Sequence, residues 1–202
     1  MKSSREINLN KLISNRNYTK SLEAWDEQVF YFLLVDRFAN EKKYPLFNQN
    51  KDYENALGDE ESKKQWLKSG GDWVGGTLKG VTRKLDYLKN LGITVLWISP
   101  ILKQPVFSKN YHGYGIQNFL EIDPHFGDKS DLKELVDKAH SKGIYIMLDV
   151  IINHSGDVFE YINNDPAYNG KEYEVKAFRD KKGKASINPN NPDYDKNYPD
   201  GG

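Results

Sequence analysis

The sequence contains no cysteine. Disulfide frameworks, thiolate nucleophiles and cysteine-bound metals are therefore excluded. Net charge is missing as well, since 29 Lys and Arg balance 29 Asp and Glu. That balance argues against a nucleic-acid or anionic-membrane partner. Long apolar runs are also scarce. No window approaches the roughly 20 residues of a membrane span. Residues 1–20 are polar and lack the apolar stretch of a signal peptide. The expectation is a soluble, cytoplasmic protein, or a secreted one whose leader has been removed. No GxGxxG or GxxxxGK[ST] pattern follows a candidate strand, which argues against a nucleotide site.

What is present suits one large domain, or a domain with an insertion. The 202 residues and 23.3 kDa can bury a real core. The most informative stretch is Ile144–His154, IYIMLDVIINH. Its β-branched, apolar run after Gly143 predicts a strand buried on both faces, as in a parallel sheet. Asp149 stands near the strand's C-terminal end, where a charge needs a partner. Asn153 and His154 follow just past that end. In parallel α/β folds, ligands are handled at the C-terminal ends of strands.

Two more strands precede it. Val29–Val35 (VFYFLLV) ends in Asp36-Arg37-Phe38, and Ile93–Ser99 (ITVLWIS) is closed by Pro100. Between them Leu78, Val81, Leu85 and Leu88 form a helical stripe that Gly92 can stop. A second helix is predicted from about Ser130 to Lys142, capped by Ser130 or Asp131. Strand, helix, strand, helix, strand over Val29–Val150 is βαβαβ, with right-handed crossovers expected. Residues 1–28 read as a lead-in. Asn40–Ser69 reads as a polar surface loop with a short helix around Asp59–Lys68. From 155 to 202 the composition shifts to Asn, Asp, Lys, Tyr, Gly and Pro, predicting an irregular subdomain with one short strand at Tyr173–Phe178.

Four segments, taken together, resemble the α-amylase family of glycoside hydrolases (family thirteen). They are VFYFLLVDRFAN at Val29–Asn40, GGTLKGVTRKLDYLKNLGITVLWISPI at Gly75–Ile101, YHGYGIQNFLEIDPHFG at Tyr111–Gly127, and LDVIINH at Leu148–His154. The resemblance implies an α/β fold, a partial (β/α)8 TIM barrel. Residues 29–154 would supply strands one to three, and 155–202 the start of a small domain inserted after strand three. A whole barrel takes about 250 residues.

The implied activity is hydrolysis of α-glucosidic bonds in starch, maltodextrin or related α-glucans, with retention of configuration. The retaining mechanism needs two carboxylates about 5 Å apart. In the family these follow strands four and five, so both are expected beyond Gly202, and this chain alone is expected to be inactive. The residues matching the family's motifs have positioning roles. Tyr114 would stack on the sugar beside the cleaved bond, and aromatic rings are frequent carbohydrate platforms. His112 and His154 would hydrogen-bond that sugar's hydroxyls. Asp149 would anchor a buried network with an Arg from outside the chain.

Asn153 matches a calcium ligand, leaving a calcium site incomplete in this chain; an amide oxygen suits that ion. A second calcium at Gly71-Asp72 is disfavoured by Lys42 and Lys43 after Asn40-Glu41. Gly115 and Asn118 stand where many relatives have other residues, which leaves substrate preference open. His125 and His140 receive no role. Two alternatives remain at this stage: a non-catalytic sugar-binding or interaction remnant of the family, and an unrelated βαβ barrel enzyme.

Overall fold

The computed structural model describes residues 8, 10, 18–41, 60–162, 170 and 174–188. Most of the predicted lead-in, much of the loop after Asn40 and the 189–202 tail lie outside these residues. Three strands, β1 (Phe30–Leu33), β2 (Val95–Ile98) and β5 (Tyr145–Leu148), form a parallel sheet in the order β1-β2-β5. Their register places Phe32, Trp97 and Met147 side by side. Strand alternation then puts Leu33, Ile98 and Leu148 on the opposite face. The sheet does not close into a barrel among the described residues.

Helices cover the Leu33–Ile98 face. They are α3 (Leu78–Arg83), α4 (Leu85–Asn90) and α5 (Lys129–Ser141). Leu78, Val81, Leu85, Leu88, Leu135 and Ala139 join Leu33, Leu96, Ile98 and Ile144 in one buried cluster. The predicted stripe is thus the core face. It runs over two short helices rather than one, because Lys84 has φ −97° and ψ 6° and its N–H turns back to the Val81 carbonyl at 2.9 Å. This tightened turn keeps Val81 and Leu85 both inside.

Other boundaries also moved. The first strand is shorter than predicted, since Val35–Phe38 turns into a single helical turn, α1, whose Val35 N–H is held by Ser99 Oγ at 3.1 Å. The predicted helix before Ser69 is α2 (Glu60–Lys68), followed by a 3-10 turn at Ser69–Gly71. The cap of α5 is Asp128, not Ser130 or Asp131. Its Oδ1 accepts the N–H groups of Ser130 and Asp131, while Asp131 Oδ2 accepts the N–H of Asp128 in return. Gly127, at φ +128°, turns the chain so that Asp128 sits extended one residue ahead of the helix.

Strand β5 is not buried on both faces as expected. It is an edge strand, and Leu148 and Val150 stay 45% and 50% exposed because no described strand lies beyond it.

The loop from Ile101 to Gly127 contains a small antiparallel pair, β3 (Leu102–Lys103) and β4 (Asn118–Ile122). After His154 the described chain is more regular than predicted. Strands β6 (Phe159–Tyr161), β7 (Val175–Arg179) and β8 (Ala185–Ile187) form an antiparallel sheet. Asp180 builds the β7–β8 turn by accepting the N–H groups of Lys182 and Lys184. The strand expected at Tyr173–Phe178 is β7, while β6 and β8, three residues each, carry too little periodicity to be read from sequence. No helix among the described residues is long and apolar enough to cross a membrane.

Candidate functional site

Polar groups collect where the three parallel strands end. After β1, Asp36 is fully buried, and its carboxylate accepts the N–H groups of Val74 and Gly75 at 3.0–3.1 Å. Arg37 Nε lies 3.0 Å from Asp36 Oδ2. Burial pushes the Asp36 carboxyl above its ordinary value, and the backbone donors and Arg37 pull it part of the way back. The Arg37 guanidinium also donates to the carbonyls of Ser69 and Asp72 and lies 3.7 Å over the Tyr111 ring. It therefore ties the 69–72 turn to the loop that begins at Tyr111.

That loop, 111–116, carries His112 and Tyr114, two of the five sequence-predicted site residues. Tyr114 is its centre. Its hydroxyl donates to Asp149 Oδ2 at 2.9 Å, past the end of β5. Burial, then the bond to Asp149 and its charge, hold the phenol above its ordinary value. Its N–H donates to His112 Nδ1 at 3.1 Å, and the two rings stack with centroids 5.7 Å apart. Because Nδ1 accepts, the neutral His112 ring carries its proton on Nε2 and keeps that donor available. Burial holds His112 below its ordinary value, which favours the neutral form.

His154 reaches the same residue from the other side. Its Nε2 lies 2.9 Å from the Tyr114 carbonyl, and Nδ1 faces the Asn153 amide oxygen at 3.3 Å. A neutral imidazole has one N–H. With its proton on Nε2, His154 donates to the Tyr114 carbonyl and pins the loop from that end. The structure thus brings His112, Tyr114, Asp149 and His154 together. Asp149 is half-buried, and the partner it has among the described residues is the Tyr114 hydroxyl.

Asn153 stands apart. Its side chain is exposed, and the described residues contain no group of three or more His, Cys, Asp or Glu that could hold a metal. Asp157 faces Arg179 Nε at 3.5 Å, and Asp180 is committed to its turn. Among the described residues Asn153 thus has no cluster of acidic side chains around it. At Gly71-Asp72 the carboxylate already holds Lys109 Nζ at 2.5 Å, and that bond keeps Asp72 below its ordinary value. His125 stacks flat on Trp73 at 3.9 Å and pairs with Asp123, and His140 lies beside Tyr145.

Two buried residues that the sequence did not mark shape the loop. Gln104 is 2% exposed and Asp123 is 3% exposed. Asp123 accepts the backbone N–H groups of Gln104 and His125. A buried glutamine between a two-residue strand and a proline has no periodic signature, so only its contacts reveal it. Gly113 is required for a separate reason. It has φ +85°, and a Cβ there would overlap the Pro100 carbonyl.

Comparison with known proteins bears on the family and the fold. A family model described as "Alpha amylase, catalytic domain" matches residues 18–200. An alpha-amylase of Streptomyces lividans is 52% identical over 98 residues, covering 45% of this chain and 11% of that protein. An uncharacterized glycosyl hydrolase of Schizosaccharomyces pombe is 34% identical over 170 residues, covering 80% of this chain and 31% of its own length. Among solved structures, an Anoxybacillus alpha-amylase superposes with TM-score 0.51 at 33% identity, covering 65% of this chain and 25% of the other. The chain thus spans between about a tenth and a third of the curated relatives named here, and its three parallel strands correspond to part of a (β/α)8 barrel. With a catalytic-domain match over nearly its whole length, the chain belongs to the alpha-amylase family.

Proposed function

We propose that this chain supplies the sugar-positioning side of an α-glucan hydrolase that works with retention of configuration. The observation that carries the reading is Tyr114. Its ring lies at the carboxyl end of a parallel sheet, its hydroxyl is fixed by Asp149, and its backbone is held by two imidazoles. A flat aromatic ring complements the apolar C–H face of a pyranose. His112 Nε2 is the free donor beside that ring, placed to bond a sugar hydroxyl. Hydrogen bonds of this kind that tighten in the transition state contribute to rate as well as to binding. The family match and the relatives' names support an α-glucan, such as starch or a maltodextrin, as the substrate.

Retaining hydrolysis needs a nucleophilic carboxylate and an acid/base carboxylate about 5 Å apart. The two described strand-end acids are otherwise engaged. Asp36 is buried under backbone donors and Arg37, and Asp149 holds Tyr114. The chain alone is therefore proposed to bind sugar without cleaving it. This also keeps the non-catalytic sugar-binding reading in play, and one experiment separates the two. Maltotriose is titrated into the chain and into Tyr114→Ala, and α-glucan hydrolysis is assayed for the chain and for any longer form carrying it. The Tyr114→Ala change should weaken binding by roughly tenfold or more. Hydrolysis confined to a longer form supports the enzyme reading. No maltotriose binding by the wild-type chain, with no hydrolysis by any form, would sink it.

A further inference from the structure

Gln104 has contacts out of proportion to its place in the sequence. Its side-chain Nε2 donates to the Gly113 carbonyl at 2.9 Å, and its Oε1 accepts the Gly115 N–H at 2.9 Å. The two backbone groups it takes are those immediately before and after Tyr114. The amide therefore does what a neighbouring peptide group would do in a strand ladder: it donates on one side of a residue and accepts on the other. Nε2 also donates to the Leu102 carbonyl, and the Gln104 N–H is fixed by Asp123 Oδ2 at 2.8 Å. With Gln104 only 2% exposed, its own amide has little water to fall back on.

On the far side of the same loop, the Tyr114 carbonyl meets His154 and the Ile116 carbonyl accepts the Gly156 N–H. The backbone from Gly113 to Ile116 is thus bonded alternately to Gln104 and to 154–156. A Cβ on Gly156 would overlap the Gly115 carbonyl, so that approach depends on glycine. The Tyr114 side chain lies outside this bracket, held by the Asp149 carboxylate at its hydroxyl and by His112 against its ring.

We infer that Gln104 is a positioning residue for the sugar platform, its amide clamping Gly113 and Gly115 so that Tyr114 is presented in one orientation before any ligand arrives. The inference rests on the sugar reading of Tyr114 for its purpose and on the amide geometry for its mechanism. A glutamine is required because the site needs one donor and one acceptor on the same planar group. Glutamate would turn an acceptor toward the Gly113 carbonyl. Methionine fills the space but offers neither bond.

The test compares the wild-type chain with Gln104→Met and Gln104→Glu. Amide hydrogen exchange is followed at Gly115, with Ser99, whose N–H is bonded to the Leu33 carbonyl, as the internal reference. Maltotriose affinity is measured on the same samples. In Gln104→Met the Gly115 amide should exchange about tenfold faster relative to Ser99, and maltotriose should bind about tenfold more weakly. Gln104→Glu keeps the Gly115 acceptor, so its Gly115 amide should stay protected while sugar binding weakens. A general loss of stability would move Ser99 and Gly115 together and would overturn the clamp.

So would an unprotected Gly115 amide in the wild-type chain, a measurement that needs no variant to fold. A Gln104→Met chain with wild-type affinity and a wild-type Gly115-to-Ser99 ratio would overturn it too. If the wild-type chain ignores maltotriose while Gly115 responds as stated, the sugar reading fails and the clamp stands.

Discussion

Acidification should loosen the Tyr114 loop through His112, and the size of the effect can be worked out. His112 Nδ1 accepts the Tyr114 N–H at 3.1 Å, which needs a bare lone pair on that nitrogen. Burial holds the ring below its ordinary value. The unfolded chain therefore takes up a proton near pH 6.5 and the folded chain only at lower pH. Between those values the unfolded state binds more protons, so the stabilisation is complete above about pH 6.5 and fades as pH falls through the folded value. Protonation turns an N–H toward an N–H and removes one backbone hydrogen bond. A bond of that kind is worth about 1 kcal/mol net, or roughly fivefold in the open-to-closed ratio of the loop. The assay is exchange at the Tyr114 amide relative to Ser99, corrected for intrinsic pH dependence, from about pH 7.5 down to about pH 5. The ratio should rise about fivefold in the wild-type chain and stay level in His112→Asn, which keeps an acceptor that does not titrate. A level ratio in the wild type, or the same slope in both, would refute the reasoning.

Three further outcomes are expected. Strands β1 and β5 leave open edges among the described residues, and Phe30, Phe32 and Trp97 stay 38–44% exposed on one sheet face; sedimentation of the chain should show self-association, relieved by Trp97→Lys, and a wild-type monomer at high concentration would count against it. Asp36→Ala removes the buried acceptor of the Val74 and Gly75 N–H groups and the carboxylate beside Arg37, and should cost about 2–4 kcal/mol in urea unfolding; an unchanged midpoint would contradict the buried-acceptor account. Calcium titration should reveal no tight saturable site on this chain and chelator should leave its melting unchanged; micromolar binding abolished by Asn153→Ala would reverse that expectation.

The helix stripes and strand cores were legible because they obey a period. Leu78, Val81, Leu85 and Leu88 all lie in the core. The resemblance then named Tyr114, His112, His154 and Asp149, and these side chains do meet. What stayed hidden was set by geometry without a period. Asp128 rather than Ser130 or Asp131 caps α5 because Gly127 turns the chain first. Asp149 takes a tyrosine for its partner, since the loop swings over the strand end. His154 meets the Tyr114 carbonyl, a partner that no sequence spacing could assign to it. Gln104 and Asp123 carried no signal at all, because a buried polar side chain is recognisable only once its partners are in place.

The bracketing of the 113–116 backbone also has a consequence for the order in which the chain takes shape. One side of the bracket comes from Gln104, nine residues before Gly113, and can close as soon as that stretch exists. The other side comes from His154, which lies 40 residues after Tyr114. Helix α5 and strand β5 must be made and docked in between. During synthesis the loop would first be held on one flank only, and Tyr114 would acquire Asp149 and His154 last. The Tyr114 loop is thus a late-maturing part of the chain. Interruptions that spare the parallel sheet but stall before Gly156 should yield a chain with a native core and an unfinished loop.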